Sequence, residues 1–269
     1  MADMDKGAVI VSGGTFGIGL DIARLLARRG WPVVAFGLEA APVSSLASAS
    51  VPDLNAEAAR EGLSLTFLAA DVTDEAAVGQ VVETTLAQHG RIHAVVNNAA
   101  IGPLGTVLDT APDLWERILI VNLKGPYLLC RAALPHMIKA GGGRVVNVGS
   151  GAGWGKPNMA AYATSKGGLN AFSAALALDY FTDRIAVNTV IPGGGGIKAG
   201  MSMGRVGGDL GKLRNKAVGT VAGRYMEGED LARTIAFLLS DDAESISGTI
   251  IDVGCFAHQG SSTPRGKAS

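Results

Sequence analysis

Seven short strand-like runs, mostly apolar and mostly separated by longer stretches of helical period, constrain the fold of this chain most. They are Ala8–Val11, Pro32–Phe36, Leu65–Leu68, Ile92–Val96, Arg144–Val148, Ile185–Val190 and Thr249–Val253. Between them, residues 17–29 place Ile18, Ile22, Leu25 and Leu26 at helical spacing. Asp74 reads as the N-cap of a helix to about His89. Further helices are expected over about 112–139, 159–181 and 228–239, with Pro126 and Pro135 bending the first. Strands alternating with helices of this length predict βαβ units, hence an α/β fold whose parallel sheet is covered on both faces. Residues 40–62 read as a loop with a short helix, residues 193–224 as irregular, and the polar tail 260–269 as frayed. Neither a composition break nor a repeat marks a boundary, so one domain over 1–269 is expected.

Composition removes several function classes. A net charge of −1 argues against a dedicated nucleic-acid binder, which is usually basic. Cys130 and Cys255 make neither a disulfide framework nor a zinc site. His89, His93, His136 and His258 lack metal-ligand spacing, so no metal is expected. No uninterrupted apolar stretch reaches the length of a membrane span, and Ala8–Val11 is too short for a signal-peptide core. A cytoplasmic protein without membrane attachment is the expectation. Glycine is the anomaly: 38 residues, without a collagen period.

The glycines have an address. The turn Ser12-Gly13-Gly14-Thr15-Phe16-Gly17-Ile18-Gly19 follows the first strand and opens the first helix. There glycine permits a tight turn and lets a pyrophosphate approach the amides of a helix N-terminus. The context, strand before and helix after, favours dinucleotide binding over a bare turn. The spacing Gly-x-x-x-Gly-x-Gly resembles the short-chain dehydrogenase/reductase family, whose hallmark is Thr-Gly-x-x-x-Gly-x-Gly; Ser12 keeps the hydroxyl. The resemblance covers about residues 6–256. It implies a doubly wound Rossmann fold with a seven-stranded, mainly parallel sheet. It also implies cofactor contacts at Gly13, Thr15, Phe16, Gly17, Ile18 and Gly19.

Tyr162 and Lys166 stand at i and i+4, on one helical face. A tyrosine of pKa about 10 is almost wholly protonated at neutral pH, and a nearby ammonium is what favours its phenolate. Such a pair also occurs on surface helices by chance. Ser150 changes the weighting, because it ends the fifth strand, and ligands bind at the carboxyl ends of an open parallel sheet. The resemblance implies a Ser150–Tyr162–Lys166 catalytic set, with a gap one residue shorter than the family's usual thirteen. Ser150 is preferred to Ser165, which lies on the helix between the other two. Asn122 is a poor helix-interior residue. The family's matching asparagine bends its helix and holds a water that links the lysine to solvent.

The resemblance further implies cofactor contacts at Asp71 and Val72, at Asn98 and Ala99 of the Asn97-Asn98-Ala99-Ala100 motif, at Tyr162 and Lys166, and at Pro192 and Gly193. The threonine that follows Pro-Gly in relatives is Ile197 here, after four consecutive glycines. The C-terminal Asp-Gly-Gly is altered to Val253-Gly254-Cys255. Gly37 stands where NAD-preferring relatives carry aspartate, and Glu39 follows two residues later. Leu38 and Phe16 occupy the positions where NADP-preferring relatives carry cations. NAD is therefore expected, with NADP the alternative.

The expected activity is hydride transfer between a nicotinamide and a secondary alcohol or ketone. Lys198, Arg205, Lys212, Arg214, Lys216 and Arg224, against Asp209, make residues 194–225 a basic lid. That lid, with Lys156, suggests an anionic substrate such as a carboxylate or sugar acid, although a solvated helix face explains the charges as well. The rivals are an NADPH-dependent ketoreductase of 3-oxoacyl type and a catalytically silent dinucleotide sensor. By analogy the chain forms a homotetramer or dimer through the helices around 112–139 and 159–181.

Overall fold

The computed structural model describes residues 7–39, 49–192 and 226–254, together with residues 197, 201, 209, 212 and 224. The lid, apart from those isolated positions, the tail 260–269, Gly193 and Cys255 lie outside the described residues.

All seven expected strands are present: β1 (Ala8–Ser12), β2 (Val33–Gly37), β3 (Leu65–Ala69), β4 (Ile92–Asn97), β5 (Gly143–Val148), β6 (Ile185–Pro192) and β7 (Ile250–Val253). They form one sheet in the order β3-β2-β1-β4-β5-β6-β7, and every pairing is parallel. The strand order therefore reverses between β1 and β4, the place where an open α/β sheet forms its crevice. The fold is Rossmann-like.

The helices whose full range falls within the described residues are α1 (Gly17–Arg28), α2 (Val51–Arg60), α3 (Glu75–His89), α4 (Pro112–Leu119), α5 (Gly125–Lys139), α6 (Ala160–Tyr180) and α7 (Gly228–Leu238). One apolar core, including Val9, Val11, Val33, Ala35, Val96 and Val146, lies under α1, α2 and α7. The other, including Ile10, Val34, Phe36, Val95, Val145 and Val187, lies under residues of α3, α5 and α6. Alternate residues of each strand feed the two cores, as a strand period of two requires. The short helix within 40–62 is α2, whose N-cap Ser50 accepts the Asp53 amide hydrogen bond. No helix among the described residues is long and apolar enough to cross a membrane.

The expected helix over 112–139 needs correcting. Residues Ile120–Lys124 form a π turn between α4 and α5, so the irregularity precedes both prolines. Pro126 has no amide hydrogen, so the Asn122 carbonyl lacks the α-helical donor four residues on. The ladder shifts instead, and the Gly125 amide bonds the Ile120 carbonyl, five residues back. Turns of this kind are concentrated at functional sites.

Candidate functional site

The turn after β1 is held from across the crevice. Asn98, just beyond β4, donates from Nδ2 to the carbonyls of Ser12 (3.1 Å) and Gly13 (3.0 Å). The Ser12 hydroxyl oxygen accepts from the amides of Asn98 (3.1 Å) and Ala99 (3.2 Å). Gly13 and Gly17 adopt φ of 63° and 56°, which side chains disfavour. A Cβ on Gly19 would stand 2.0 Å from the Gly13 carbonyl oxygen, so the helix can start this close only with glycine. Phe16, the N-cap of α1, is extended and offers no capping side chain, and the first turn carries no acid. The first amides of α1, from Gly17 and Ile18 onward, therefore have no side-chain partner from the cap and face the crevice as an anion cradle. These residues fit the pyrophosphate of a dinucleotide.

At the end of β2, Thr15 is buried and its hydroxyl donates to the Leu38 carbonyl at 3.3 Å. The Thr15 hydroxyl oxygen lies 2.5 Å from where a Cβ on Gly37 would be, so Thr15 and a side chain at 37 compete for one space. Glu39 is exposed. Asp71 accepts from the amide (2.9 Å) and hydroxyl (2.8 Å) of Thr73, while Asp74 caps α3. Val72 is buried, and a Cβ on Gly125 would meet both its methyls at 3.0 Å. Pro192 ends β6, half-buried.

Polar side chains continue across the carboxyl edge of the sheet. Asn97, Asn147 and Thr189 are register partners on β4, β5 and β6. Asn97 Nδ2 donates to Asn147 Oδ1 (2.8 Å), Asn147 Nδ2 to Ser173 Oγ (2.7 Å), and Thr189 Oγ1 to Ser173 Oγ (2.9 Å). This buried row ties three strands to α6 just beneath the site.

Tyr162 and Lys166 lie on α6, both buried, with the ammonium 6.0 Å from the ring centroid of Tyr162. Lys166 is only 2% exposed and donates to the Val148 carbonyl at 2.8 Å. Burial alone lowers its pKa from 10.5 to about 8, with no carboxylate among the causes. A buried ammonium held by one carbonyl is costly, which makes the position a candidate functional one.

Ser150 caps the short 3-10 turn Gly151–Trp154 by accepting from the Ala152 amide at 3.2 Å. A hydroxyl that accepts in this way keeps its proton for another acceptor. The turn packs directly on α6, where a Cβ on Gly167 would stand 3.0 Å from the Gly153 carbonyl oxygen. Two glycines thereby bring the Ser150 loop against the helix that carries Tyr162 and Lys166.

Asn122 is fully buried in the π turn. Its Oδ1 accepts from the Ile101 amide (2.8 Å), and its Nδ2 donates to the Ile101 carbonyl (2.8 Å) and to Ser165 Oγ (3.0 Å). Ser165 in turn donates to the Tyr162 carbonyl at 2.7 Å. Ser165, set aside in favour of Ser150 on sequence, is thus the link between Asn122 and the helix turn that carries Tyr162. Its sequence signal was a small hydroxyl three residues after Tyr162, on the face turned to the protein.

Comparison with known proteins places these features in a family. Residues 7–205 match the family model described as short chain dehydrogenase. A cyclopentanol dehydrogenase of a Comamonas species is 35% identical, over 96% of this chain and 100% of the relative. A 2-(S)-hydroxypropyl-CoM dehydrogenase of Xanthobacter autotrophicus is 34% identical, over 94% and 97%. A 3-oxoacyl-[acyl-carrier-protein] reductase of Chlamydia muridarum is 33% identical, over 91% and 95%. The solved structure of the protein gox2181 superposes with a TM-score of 0.82 at 27% identity, covering 95% of this chain and 96% of that one.

Proposed function

The chain belongs to the short chain dehydrogenase family, and from that premise we propose that it transfers hydride between a secondary alcohol or its ketone and NAD. The observation that carries this reading is Lys166, a buried lysine without a carboxylate partner, one helical turn from Tyr162 and packed against the Ser150 loop. The nicotinamide supplies the hydride acceptor in oxidation and the donor in reduction. Tyr162 removes the hydroxyl proton of the alcohol, or returns it to the ketone. Lys166 favours the phenolate by its charge. Ser150 donates its free proton to the substrate oxygen. Asn122 anchors the π turn, and its carbonyl, lacking the i+4 amide, is the acceptor for a proton-carrying water near Lys166.

NAD is preferred because no cation stands at Leu38 or Phe16 to meet a 2′-phosphate, and Glu39 repels one. With Thr15 filling the space beside Gly37, Glu39 is the acid left to accept from the ribose hydroxyls. Titration calorimetry is expected to show NAD binding at least about tenfold tighter than NADP, a gap that Glu39→Gln narrows. Tighter NADP binding would favour the ketoreductase alternative, which the Chlamydia relative also represents.

We infer that the protein works as a homo-oligomer, a dimer or tetramer. Leu119, Ile120, Leu123, Tyr127 and Phe172 line an open apolar groove shared by α4, the π turn, α5 and α6. Ile120 and Tyr127 are exposed on it. A second copy related by a two-fold axis would cover it, the commonest arrangement for such a face. Light scattering is expected to give a dimer or larger species, and Ile120→Glu to give monomer. A monomeric wild type would refute this assembly.

A further inference from the structure

The mouth of the site is apolar where the charge pattern of the lid suggests an anion. Two loops leave the carboxyl ends of the neighbouring strands β4 and β5 and flank Tyr162. They are joined by backbone bonds: the Gly105 amide donates to Asn158 (3.0 Å), and the Ala160 amide to Gly105 (3.1 Å). The joint lies immediately before the turn that carries Tyr162. On the first loop Leu104, Val107 and Leu108 are 49%, 75% and 92% exposed. On the second, Trp154, four residues after Ser150, is 42% exposed. Leu108 and Val107 are the two most exposed large apolar side chains of the described residues, and all four sit on the two loops joined beside the Tyr162 turn. Tyr162 itself is buried. A substrate that reaches it lies beside the two loops that carry Leu104 and Trp154.

The cations offer less. Of the six in the lid, Lys212 and Arg224 are described, and Arg224 is held by both carboxylate oxygens of Asp230 at 2.7 Å. Lys156 is exposed on the second loop, two residues after Trp154, but one solvated ammonium does not outweigh four apolar side chains.

We propose that the substrate is an uncharged alcohol or ketone with a hydrocarbon body, and that Leu104 and Trp154 are its specificity-determining residues. The proposal rests on the hydride-transfer reading of the same site. Its chemistry requires one polar group, the reacting oxygen, held by Ser150 and Tyr162, and an apolar remainder that gains by leaving water. Each methylene buried against the loops raises kcat/KM by about two- to fourfold until the space is filled. A carboxylate on the tail loses its hydration without a buried partner.

The test uses methyl ketones from butanone to octan-2-one, and the octanone analogue with a terminal carboxylate. Two readouts are taken on the full chain: equilibrium binding to protein saturated with NADH, by calorimetry, and kcat/KM for reduction. Expected are binding and kcat/KM that rise together along the series, a carboxylated analogue weaker by about a hundredfold, and a flatter slope in both readouts for Leu104→Ser and for Trp154→Ser. Turnover with a flat or falling series, or a preference for the carboxylate, would overturn the apolar substrate and leave hydride transfer standing. Binding that rises with chain length without any turnover would sustain the apolar site and overturn the catalytic reading. Absence of both binding and turnover would overturn both.

Discussion

Tyr162→Phe is expected to lower turnover by about three orders of magnitude while leaving NAD affinity within about twofold. The substitution removes one oxygen from a buried ring and nothing from the glycine turn, which is held by Asn98 and Ser12 from the far side of the crevice. Helix position is also preserved, because Ser165 bonds the Tyr162 backbone carbonyl, which the substitution leaves in place. Loss of turnover with cofactor binding intact would isolate the proton-transfer step. A variant retaining a tenth or more of wild-type turnover would remove Tyr162 from the mechanism.

Lys166→Met separates function from stability with opposite signs. At pH 7 the folded protein keeps a buried ammonium whose pKa has fallen from 10.5 to about 8. A shift of that size costs the fold about 3 kcal/mol. Methionine removes that cost and leaves the Val148 carbonyl without its donor, a loss of about 1 kcal/mol. The variant is therefore expected to be inactive yet about 2 kcal/mol more stable without cofactor at pH 7, with a Tm several degrees higher. The pH dependence has a definite sign. Between about pH 8 and 10.5 the unfolded lysine binds more protons than the folded one, so wild-type stability rises with pH across that window. The methionine variant lacks that rise. Urea unfolding at pH 7 and pH 10 checks both statements, and a variant less stable than wild type at pH 7 would show that Lys166 serves the fold.

The sheet was legible because burial on both faces leaves continuous β-rich runs, and all seven were found where the apolar residues are. Several carboxyl ends lay further on. Ser12, Gly37 and Asn97 extend β1, β2 and β4 by one residue beyond the hydrophobic run. At those positions the chain exchanges apolar side chains for a glycine and two polar side chains that hydrogen-bond across the carboxyl edge of the sheet, so hydrophobicity stops before the strand does. The π turn was hidden for a different reason. Pro126 suggested a bend at itself, but its missing amide acts on the carbonyl four residues earlier, which puts the irregularity on Asn122.

Site residues divide in the same way. The Tyr162–Lys166 spacing and the glycine turn are local patterns, readable along the chain. Their consequences are not local: the competition of Thr15 with a side chain at Gly37 depends on two loops meeting in space. So does the path from Asn122 through Ser165 to Tyr162. The row Asn97–Asn147–Ser173–Thr189 did leave a trace, since an asparagine inside Val145-Val146-Asn147-Val148 breaks an apolar strand and must find a partner. The charge pattern of residues 194–225 counts cations without their partners, and those partners depend on the fold: Arg224 is bonded to both carboxylate oxygens of Asp230.

Single-turnover reduction of NAD by a secondary alcohol, followed by absorbance on wild type and Tyr162→Phe loaded with equal amounts of cofactor, tests hydride transfer by this site most directly. Prompt, stoichiometric formation of NADH by wild type, slowed by substitution of deuterium at the carbinol carbon and lost in the variant, is the predicted result. A wild type that binds NAD yet yields no NADH with any alcohol, and consumes none with any ketone, would contradict it and identify a silent dinucleotide sensor.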